Sequence, residues 1–536
     1  MADDLAAKAA ALPRSAAGGR NPWLIALVVS IATFMEVLDT SIANVALDHI
    51  AGGLAVSYDE STWVLTSYLV ANAIIIPASG WLASVLGRKN YYMLSVLVFT
   101  IASFLCGIAN SLTFLILARV LQGAAGGGLQ PTSQSMLVDS FPAKQRGLAV
   151  TVFAFPVILA PAIGPTVGGW ITDNINWNWI FLINVPVGAI ALFLVQTLIT
   201  EPPVLQEETK TLRRTGLRFD GVGFALIGLG LGALEIFADR GQRDDWFSST
   251  MITTACICAA VGIVGFVIWE LVKKKDTLLD LTLFTNRNFS ICMMIMTVVG
   301  VVLYGTTQFL PQLLQQVLGY TATNAGLAMT VGGIATIVVM PLVGFLSSRV
   351  EARWLLGFGL VVEALALLNM CGLDTTLSFW DASFARVWQA AGLPFLFIPL
   401  TSAAYVGIKP GQTSQASALL NVFRNLGGTI GISSVQTLLA QREQFHQARI
   451  VETLNPLNPI YVSSIRTLRG MLATRLGSVG ADRAALASLY GRVNRQAAML
   501  SYIDVFWGLM WFVAIVTPLV LLLRGSEGDE SEGAAA

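Results

Sequence analysis

The sequence predicts an all-α polytopic membrane protein, with fourteen transmembrane helices forming two six-helix bundles and two inserted helices between them. Three observations carry this. Only 12% of the 536 residues are charged and 55% are apolar, whereas a solvated surface takes about 25% charged residues. Apolar runs recur at the length of about 20 residues that a hydrocarbon core demands. One stretch also repeats: ARVLQGAAGGGLQPT at 118–132 returns as ARVWQAAGLPFLFIPLT at 385–401, each followed by a short polar link and a glycine-rich helix.

The spans, numbered 1 to 14, read at 22–47, 62–82, 90–110, 112–138, 148–170, 179–199, 220–238, 250–272, 290–314, 324–347, 353–372, 380–407, 415–440 and 502–524. Span 1 is too long for a signal peptide and has no small-residue cleavage site, so it is expected to stay as a membrane helix. The repeat aligns spans 4–5 with 12–13. Spans 9–14 therefore repeat spans 1–6, and spans 7 and 8 are an extra pair. Bundles repeated about an axis normal to the membrane place a substrate path between the halves. The expected segments are an N-terminal arm (1–21), an N-terminal bundle (22–199), a linker (200–219), the inserted pair with its loop (220–289), a C-terminal bundle (290–524) and an acidic tail (525–536). Within the C-terminal bundle, 441–501 reads as a long outer loop, turn-rich over HQARIVETLNPLNPI and an amphipathic helix over 478–500.

Basic residues set the orientation. With the N terminus cytoplasmic, Arg240 and Arg243 are the only Lys or Arg in the short outer loops, and both termini fall in the cytoplasm. The arginines of 441–501 are exempt, because long loops escape the rule. A net charge of zero excludes a nucleic-acid binder. The cysteines lie in apolar runs, and His49 and His446 are far apart, so neither a metal site nor a disulfide framework is expected. No G-x-x-x-x-G-K-[ST] loop occurs, which excludes an ATP-driven pump in this chain alone. A membrane enzyme would need a catalytic constellation that two loop histidines do not supply, so the chain is read as no enzyme.

An ionisable group inside a span costs about 3 kcal/mol or more and is a functional candidate by default. Span 1 carries Glu36 and Asp39, three apart and on one face with Thr40 and Asn44. Span 4 carries Arg119, with Gln122 one turn on. Asp39 lies about 12 Å from the outer end of span 1 and Arg119 about 10 Å from the outer end of span 4, so the two can pair. Such a pair either locks helix packing or takes part in proton exchange. The second reading is favoured, since two acids and one base leave a carboxyl free to titrate. The second half places Glu363 in span 11 and Arg386 in span 12 at similar depth, read as a structural pair. Span 9 offers neutral Tyr304, Thr306, Gln308 and Gln312 in place of acids. Proton handling is thus expected in the first half. The substrate path is expected along Thr40, Asn44, Gln122, Tyr304, Gln308, Gln312, Glu363, Arg386 and Arg424. Glu235 of span 7 is read as a side chain that snorkels to the outer interface.

Span 5 reads LAPAIGPTVGGW, with Pro161, Gly164, Pro165, Gly168 and Gly169. Glycines four apart admit a close helix neighbour and prolines bend the helix, which suits a hinge or seal between bundles. The glycines at 126–128 and Gly427, Gly428 and Gly431 are expected to serve packing.

Seven segments resemble, in order, the fourteen-helix drug:proton antiporter branch of the major facilitator superfamily, close to the EmrB-type pumps. They are LDTSIANVAL, GWLASVLGRK with Gly87 and Arg88, ARVLQG, PAIGPTVGG, WNWIFLINVPVG, and the pair ALEIFADRGQRDDWF and NVFRNLGGTIG. The resemblance implies export of hydrophobic or amphipathic compounds, driven by the proton gradient with no cofactor, across a bacterial inner membrane. Asp39, with Glu36, would carry the coupling proton and Arg119 would assist its transfer, while the Pro-Gly helix limits leak. It further implies a periplasmic adaptor and an outer-membrane channel; segment 441–501 either contacts such an adaptor or forms a solvated cap or a helix lying on lipid head groups. Proton-coupled import or facilitated movement of another small molecule is the rival. Two departures stand out: Ser84 replaces the loop motif's Asp, which leaves the gating partner of Arg88 missing or remade, and Asp48 replaces the Pro that follows the first-helix motif.

Overall fold

The computed structural model describes residues 22–141, 145–201, 206–207, 209, 219–273, 277–408 and 412–523. The N-terminal arm, most of the linker and the acidic tail lie outside the described residues. Span 1 is the helix Pro22–Val45, and spans 2 and 3 are Trp63–Leu86 and Arg88–Gly107. Span 4 comes in two pieces, Leu112–Gly126 and Leu129–Ser140. The glycine run between them lets the chain press against span 2, where Gly123 meets the Tyr68 carbonyl and Gly127 the Asn72 carbonyl. Span 5 is Arg146–Asn174, and span 6 is Asn184–Leu198 preceded by the short turn Trp179–Leu182.

Spans 7 and 8, Gly221–Arg240 and Thr250–Lys273, pack on each other where Gly230 faces Gly262 backbone to backbone. With no hydrophobic drive between helices in lipid, such small-residue contacts supply the attraction. Gly228 and Gly232 seat span 7 on Ile74 of span 2. The far side of span 8 exposes Ile257, Val261, Val264 and Ile268, as a lipid-facing surface does.

The second half runs Arg287–Gln312, Ala322–Leu346, Ala352–Met370, Phe379–Ala404, Thr413–Glu452 and Pro459–Val516 for spans 9 to 14. Among the described residues, thirteen helices are long and apolar enough to cross a membrane. Expected span 13 is the more polar exception, because its inward face carries Asn421, Arg424 and Asn425.

The halves meet along two seams. Span 10 lies along span 5, with Gly326 against Thr166, Gly333 against Ala162 and Gly344 against Thr151. The Thr166 and Thr330 hydroxyls are 3.2 Å apart in that seam. Span 2 meets span 13 where Gly80 faces the backbone of Ser414 and Gln415.

Segment 441–501 differs from the expected loop. Residues 441–452 continue the helix of span 13, a six-residue turn follows, and the helix from Pro459 runs into span 14 with one break at Gly477, whose φ is +68°. A 40-residue helix is about 60 Å long, twice what a hydrocarbon core needs. The pair therefore projects as a helical hairpin, clasped by Arg442 and His446 on Asp504 at 2.5 and 2.6 Å. HQARIVE is helical because its polar residues either face solvent or bond to the facing helix, His446 to Asp504 and Gln447 to Asn494, without competing for backbone hydrogen bonds; the chain turns only at the Asn-Pro pairs beyond it.

Candidate functional site

Asp39 is buried within the first bundle, and four other spans supply its surroundings. Arg119 Nη1 lies 2.6 Å from Asp39 Oδ2. The side-chain amides of Gln122 and Asn184 donate to Oδ1 at 2.9 and 2.7 Å. Gln122 and Arg119 are three apart and so share a face of span 4. The Gln122 carbonyl accepts from Arg119 at 2.7 Å, while its second N–H donates to the Ser103 hydroxyl of span 3 at 2.7 Å. Arg119 is held from two further sides: Nε donates to the Val64 carbonyl at 3.0 Å, and the guanidinium lies over the Tyr68 ring, 4.2 Å from its centroid. Spans 1, 2, 3, 4 and 6 thus converge on one ion pair. Three of roughly four lone-pair sites on the Asp39 carboxylate are taken. A proton on Asp39 removes the charge that holds Arg119.

Glu36 lies one turn away and is equally buried, yet its partners are neutral. Gln130 donates to Oε2, and the Tyr68 hydroxyl and Asn72 amide reach Oε1 at 3.3 and 3.5 Å. The carbonyl of the same Gln130 accepts from Arg424 Nη2. One amide therefore joins an acid of span 1 to an arginine of span 13, across the boundary between the halves. Asn421, one turn before Arg424, donates to Gln134 at 2.8 Å across the same boundary.

The second half repeats the arginine–glutamine pair but moves the acid. Arg386 donates to the Gln389 carbonyl, and to the Thr306 and Thr307 hydroxyls at 3.3 and 3.2 Å. Gln389 in turn donates to Glu363 at 2.8 Å. The expected Glu363–Arg386 pair is thus bridged by an amide. Span 11 is the repeat counterpart of span 3, so Glu363 stands where the first half has Ser103, and Thr306 answers the arginine where the first half has Asp39.

The remaining predicted residues are dispersed. The Thr40 hydroxyl donates to the Glu36 carbonyl of its own helix at 3.1 Å, and Asn44 is exposed. Tyr304 and Gln308 are half-buried on one face of span 9, Tyr304 packing against Gly428, and Gln312 donates to Gln316 at 3.2 Å. Gln122 belongs to the Asp39 cluster.

Span 5 packs on span 1 beside that cluster, with Gly164 against Ser41 and Gly168 against Ile42. Gly169 gives its carbonyl to Thr172 at 3.0 Å. Pro165 has no N–H for the Pro161 carbonyl, and the Ser41 hydroxyl donates to that carbonyl at 3.4 Å. Pro156 likewise frees the Val152 carbonyl, which takes Ser30 of span 1 at 3.2 Å. At the turn between spans 2 and 3, Gly87 has a φ of +85°, where a side chain would also strike Glu201. Arg88 ion-pairs with Asp139 of span 4, and its backbone N–H donates to Glu201 at 2.7 Å. Ser84 donates to the Gly80 carbonyl of its own helix at 3.0 Å, so the arginine's acid has moved to another span.

Asn184, Ser103, Tyr68, Asn72 and Gln130 join the cluster without having been singled out from sequence. Each is an uncharged polar residue in an apolar run, and Asn184 and Gln130 fall inside stretches quoted above for other reasons. Glu235, expected to snorkel, is instead buried, accepting from Thr429 of span 13 at 2.7 Å.

The chain is 38% identical over 506 residues to the multidrug export protein EmrB of Escherichia coli strain K12, covering 92% of this chain and 96% of that one. It is 36% identical over 510 residues to the fatty acid resistance protein FarB of Neisseria gonorrhoeae, covering 95% and 97%. Its fold is similar to the crystal structure of the human organic anion transporter MFSD10, with a TM-score of 0.54 at 12% identity over 92% and 99% of the two chains. The sequence profile of the Major Facilitator Superfamily matches residues 29–432, and with this fold and these relatives the chain belongs to the Major Facilitator Superfamily, among relatives of the EmrB type.

Proposed function

We propose that this chain exports hydrophobic or amphipathic compounds across a bacterial inner membrane in exchange for protons, by alternating access between its halves. The buried Asp39–Arg119 pair, with Glu36 one turn away, carries this reading. It is a charged cluster inside a bundle, and its neutralisation frees an arginine. Glu36 extends the cluster through Gln130 to Arg424, so a proton taken up in span 1 alters a contact between the halves. The names of the relatives, a multidrug export protein and a fatty acid resistance protein, support the outward direction and the apolar substrate class.

On the same reading, both termini are cytoplasmic and the helical hairpin of spans 13 and 14 stands on the periplasmic side. Leu457, Ile460 and Met471 are strongly exposed on its far part, at 92%, 75% and 68%. Apolar side chains beyond the membrane suit contact with a periplasmic adaptor that leads to an outer-membrane channel. The test of transport uses the purified protein in liposomes under an imposed pH gradient, following a lipophilic cation and a lipophilic weak acid. Asp39→Asn is expected to abolish gradient-driven exchange while substrate binding persists. Transport indifferent to the gradient in the unsubstituted protein refutes the coupling.

A further inference from the structure

Glu363 of span 11 is a fully buried carboxyl, 0% exposed, that the Asp39 cluster does not use. Asp39 shows what a satisfied carboxylate looks like in this fold: it touches its arginine directly and takes two amide N–H groups besides. Glu363 has much less. Gln389 donates to Oε1 at 2.8 Å, while Oε2 is buried with no hydrogen-bond partner. That free oxygen lies towards Gly392, where a Cβ would stand 2.9 Å from it. Among the described residues neither Glu363 nor Arg386 forms an ion pair, and Nε of Arg386 also lacks an acceptor.

Span 11 packs on spans 12 and 14, and their charges are few. Span 12 carries Arg386, and Asp381 in its N-terminal cap with Ser378. Span 14 has no titratable side chain from Val505 to Leu522. Its Tyr502 and Asp504 lie at the level of Cys371, whose thiol donates to the Ile503 carbonyl, and Asp504 is already held by Arg442 and His446. Cys371 is about 12 Å further along span 11 than Glu363. At the other end of span 11, Arg353 pairs with Glu351 at 2.5 Å. Glu363 therefore faces a single charge, Arg386, with Gln389 between them. A carboxylate with one bare buried oxygen is costly, and a carboxylic acid is far less so. Since Oε1 accepts from Gln389, the proton belongs on Oε2. Arg386 is then held by neutral oxygens alone, those of Gln389 and of Thr306 and Thr307 in span 9. Once the proton leaves, carboxylate and guanidinium attract across one amide, which draws Arg386 off span 9, the helix that carries Tyr304 and Gln308.

We propose that Glu363 is a second proton-exchange site, in the half whose first helix has no acid, and that its proton decides whether Arg386 is held by span 9 or by span 11. The O–H bond on Oε2 forms with a proton from water on one side of the membrane and breaks by returning it to water on the other. In this conformation the carboxyl is closed to both sides, as a carried proton requires. The proposal rests on the export reading and adds to it a proton taken up far from the Asp39 cluster. Each half then has an arginine, a glutamine three residues on and one acid of its own, the acid set on a different helix.

Infrared difference spectroscopy of the full chain in lipid bilayers, titrated with pH in the absence of any transported compound, tests the site. The wild type should show the C=O stretch of a protonated carboxyl that shifts in D2O, fades as pH rises and is missing from Glu363→Gln. Glu363→Asp, which keeps an acid there, should move the band without removing it. No difference between the wild type and Glu363→Gln at any pH overturns the proposal, and so does a Glu363 band that persists unchanged at every pH. Its part in transport is read in liposomes with tetraphenylphosphonium and octanoate as probes, from the pH gradient at which net flux of the transported probe reverses. The number of protons moved per probe molecule should drop by a single proton in Glu363→Gln and be restored in Glu363→Asp. A merely structural glutamate would lower the rate at an unchanged ratio, and that result overturns the coupling. Gradient-driven movement of neither probe by the wild type would overturn the export reading instead, and the infrared titration would still decide Glu363.

Discussion

Asp39 and Arg119 show how a membrane interior tolerates charge. Neither is accessible, and each polar contact between them is backed by another: Gln122 and Asn184 on the carboxylate, the Val64 carbonyl and the Tyr68 ring on the guanidinium. Removing one partner leaves the other buried and uncompensated. Arg119→Ala is therefore expected to destabilise the protein by about 3–5 kcal/mol, read as a lowered unfolding temperature in detergent, and Asp39→Asn in that background should recover part of the loss. An additive double variant would show that the two charges do not depend on each other. The charged pair was legible from sequence because charge in a span is costly and helical rise converts position into depth. Its amide partners were not. Asn184 and Ser103 cost little when misplaced, and the sequence does not give the rotation of one helix about its axis relative to the next. The same gap explains the second half: depth matched Glu363 to Arg386, but their azimuths leave room for Gln389 between them.

At the scale of the helix, the proline content of span 5 is matched by hydroxyls on span 1. Pro156 and Pro165 free the Val152 and Pro161 carbonyls, and Ser30 and Ser41 donate to them. Span 12 repeats the device, where Pro394 frees the Ala390 carbonyl and Thr336 of span 10 donates to it at 3.0 Å. A bend that would leave a buried acceptor unsatisfied thus becomes an interhelical bond. Ser41→Ala should cost about 0.6–1.7 kcal/mol. In a Pro165→Ala background, where residue 165 regains its N–H for the Pro161 carbonyl, Ser41→Ala should cost almost nothing. Equal costs in both backgrounds would break the link between the proline and the serine. The prolines and glycines of LAPAIGPTVGGW announced a bent, close-packed helix, but no sequence pattern named span 1 as its partner. Spans 13 and 14 show the opposite error. Charge and turn-forming residues suggested a loop over 441–501, yet a solvated helix tolerates both, and only the Asn-Pro pairs and Gly477 interrupt it.

The whole molecule is two six-helix repeats with an inserted helix pair, and the boundary between the repeats is crossed by polar contacts and two glycine seams, so its moving parts and its projecting hairpin can be tested separately. Deleting 455–475 removes the exposed Leu457, Ile460 and Met471 but none of the transmembrane packing. The variant should keep its fold and gradient-driven transport in liposomes and lose co-purification with the adaptor; unchanged co-purification would sink the hairpin's proposed role. The boundary itself calls for a cross-link. A Cβ built on Gly80 of span 2 falls 3.2 Å from the Cα of Gln415 in span 13, so cysteines at both positions come within reach of a disulfide once the two backbones ease apart by a few tenths of an ångström. Alternating access requires this contact to part on each cycle, because the adjoining Gln130 and Gln134 bonds to Arg424 and Asn421 join the same two halves. Gly80→Cys with Gln415→Cys should therefore transport when reduced, stop when oxidised and recover on reduction. Oxidation should leave either single variant active, since the native cysteines are buried or half-buried in other parts of the bundles. Full transport by the oxidised double variant would mean that spans 2 and 13 stay joined at this level throughout the cycle, and the opening would then have to be sought along the seam between spans 5 and 10.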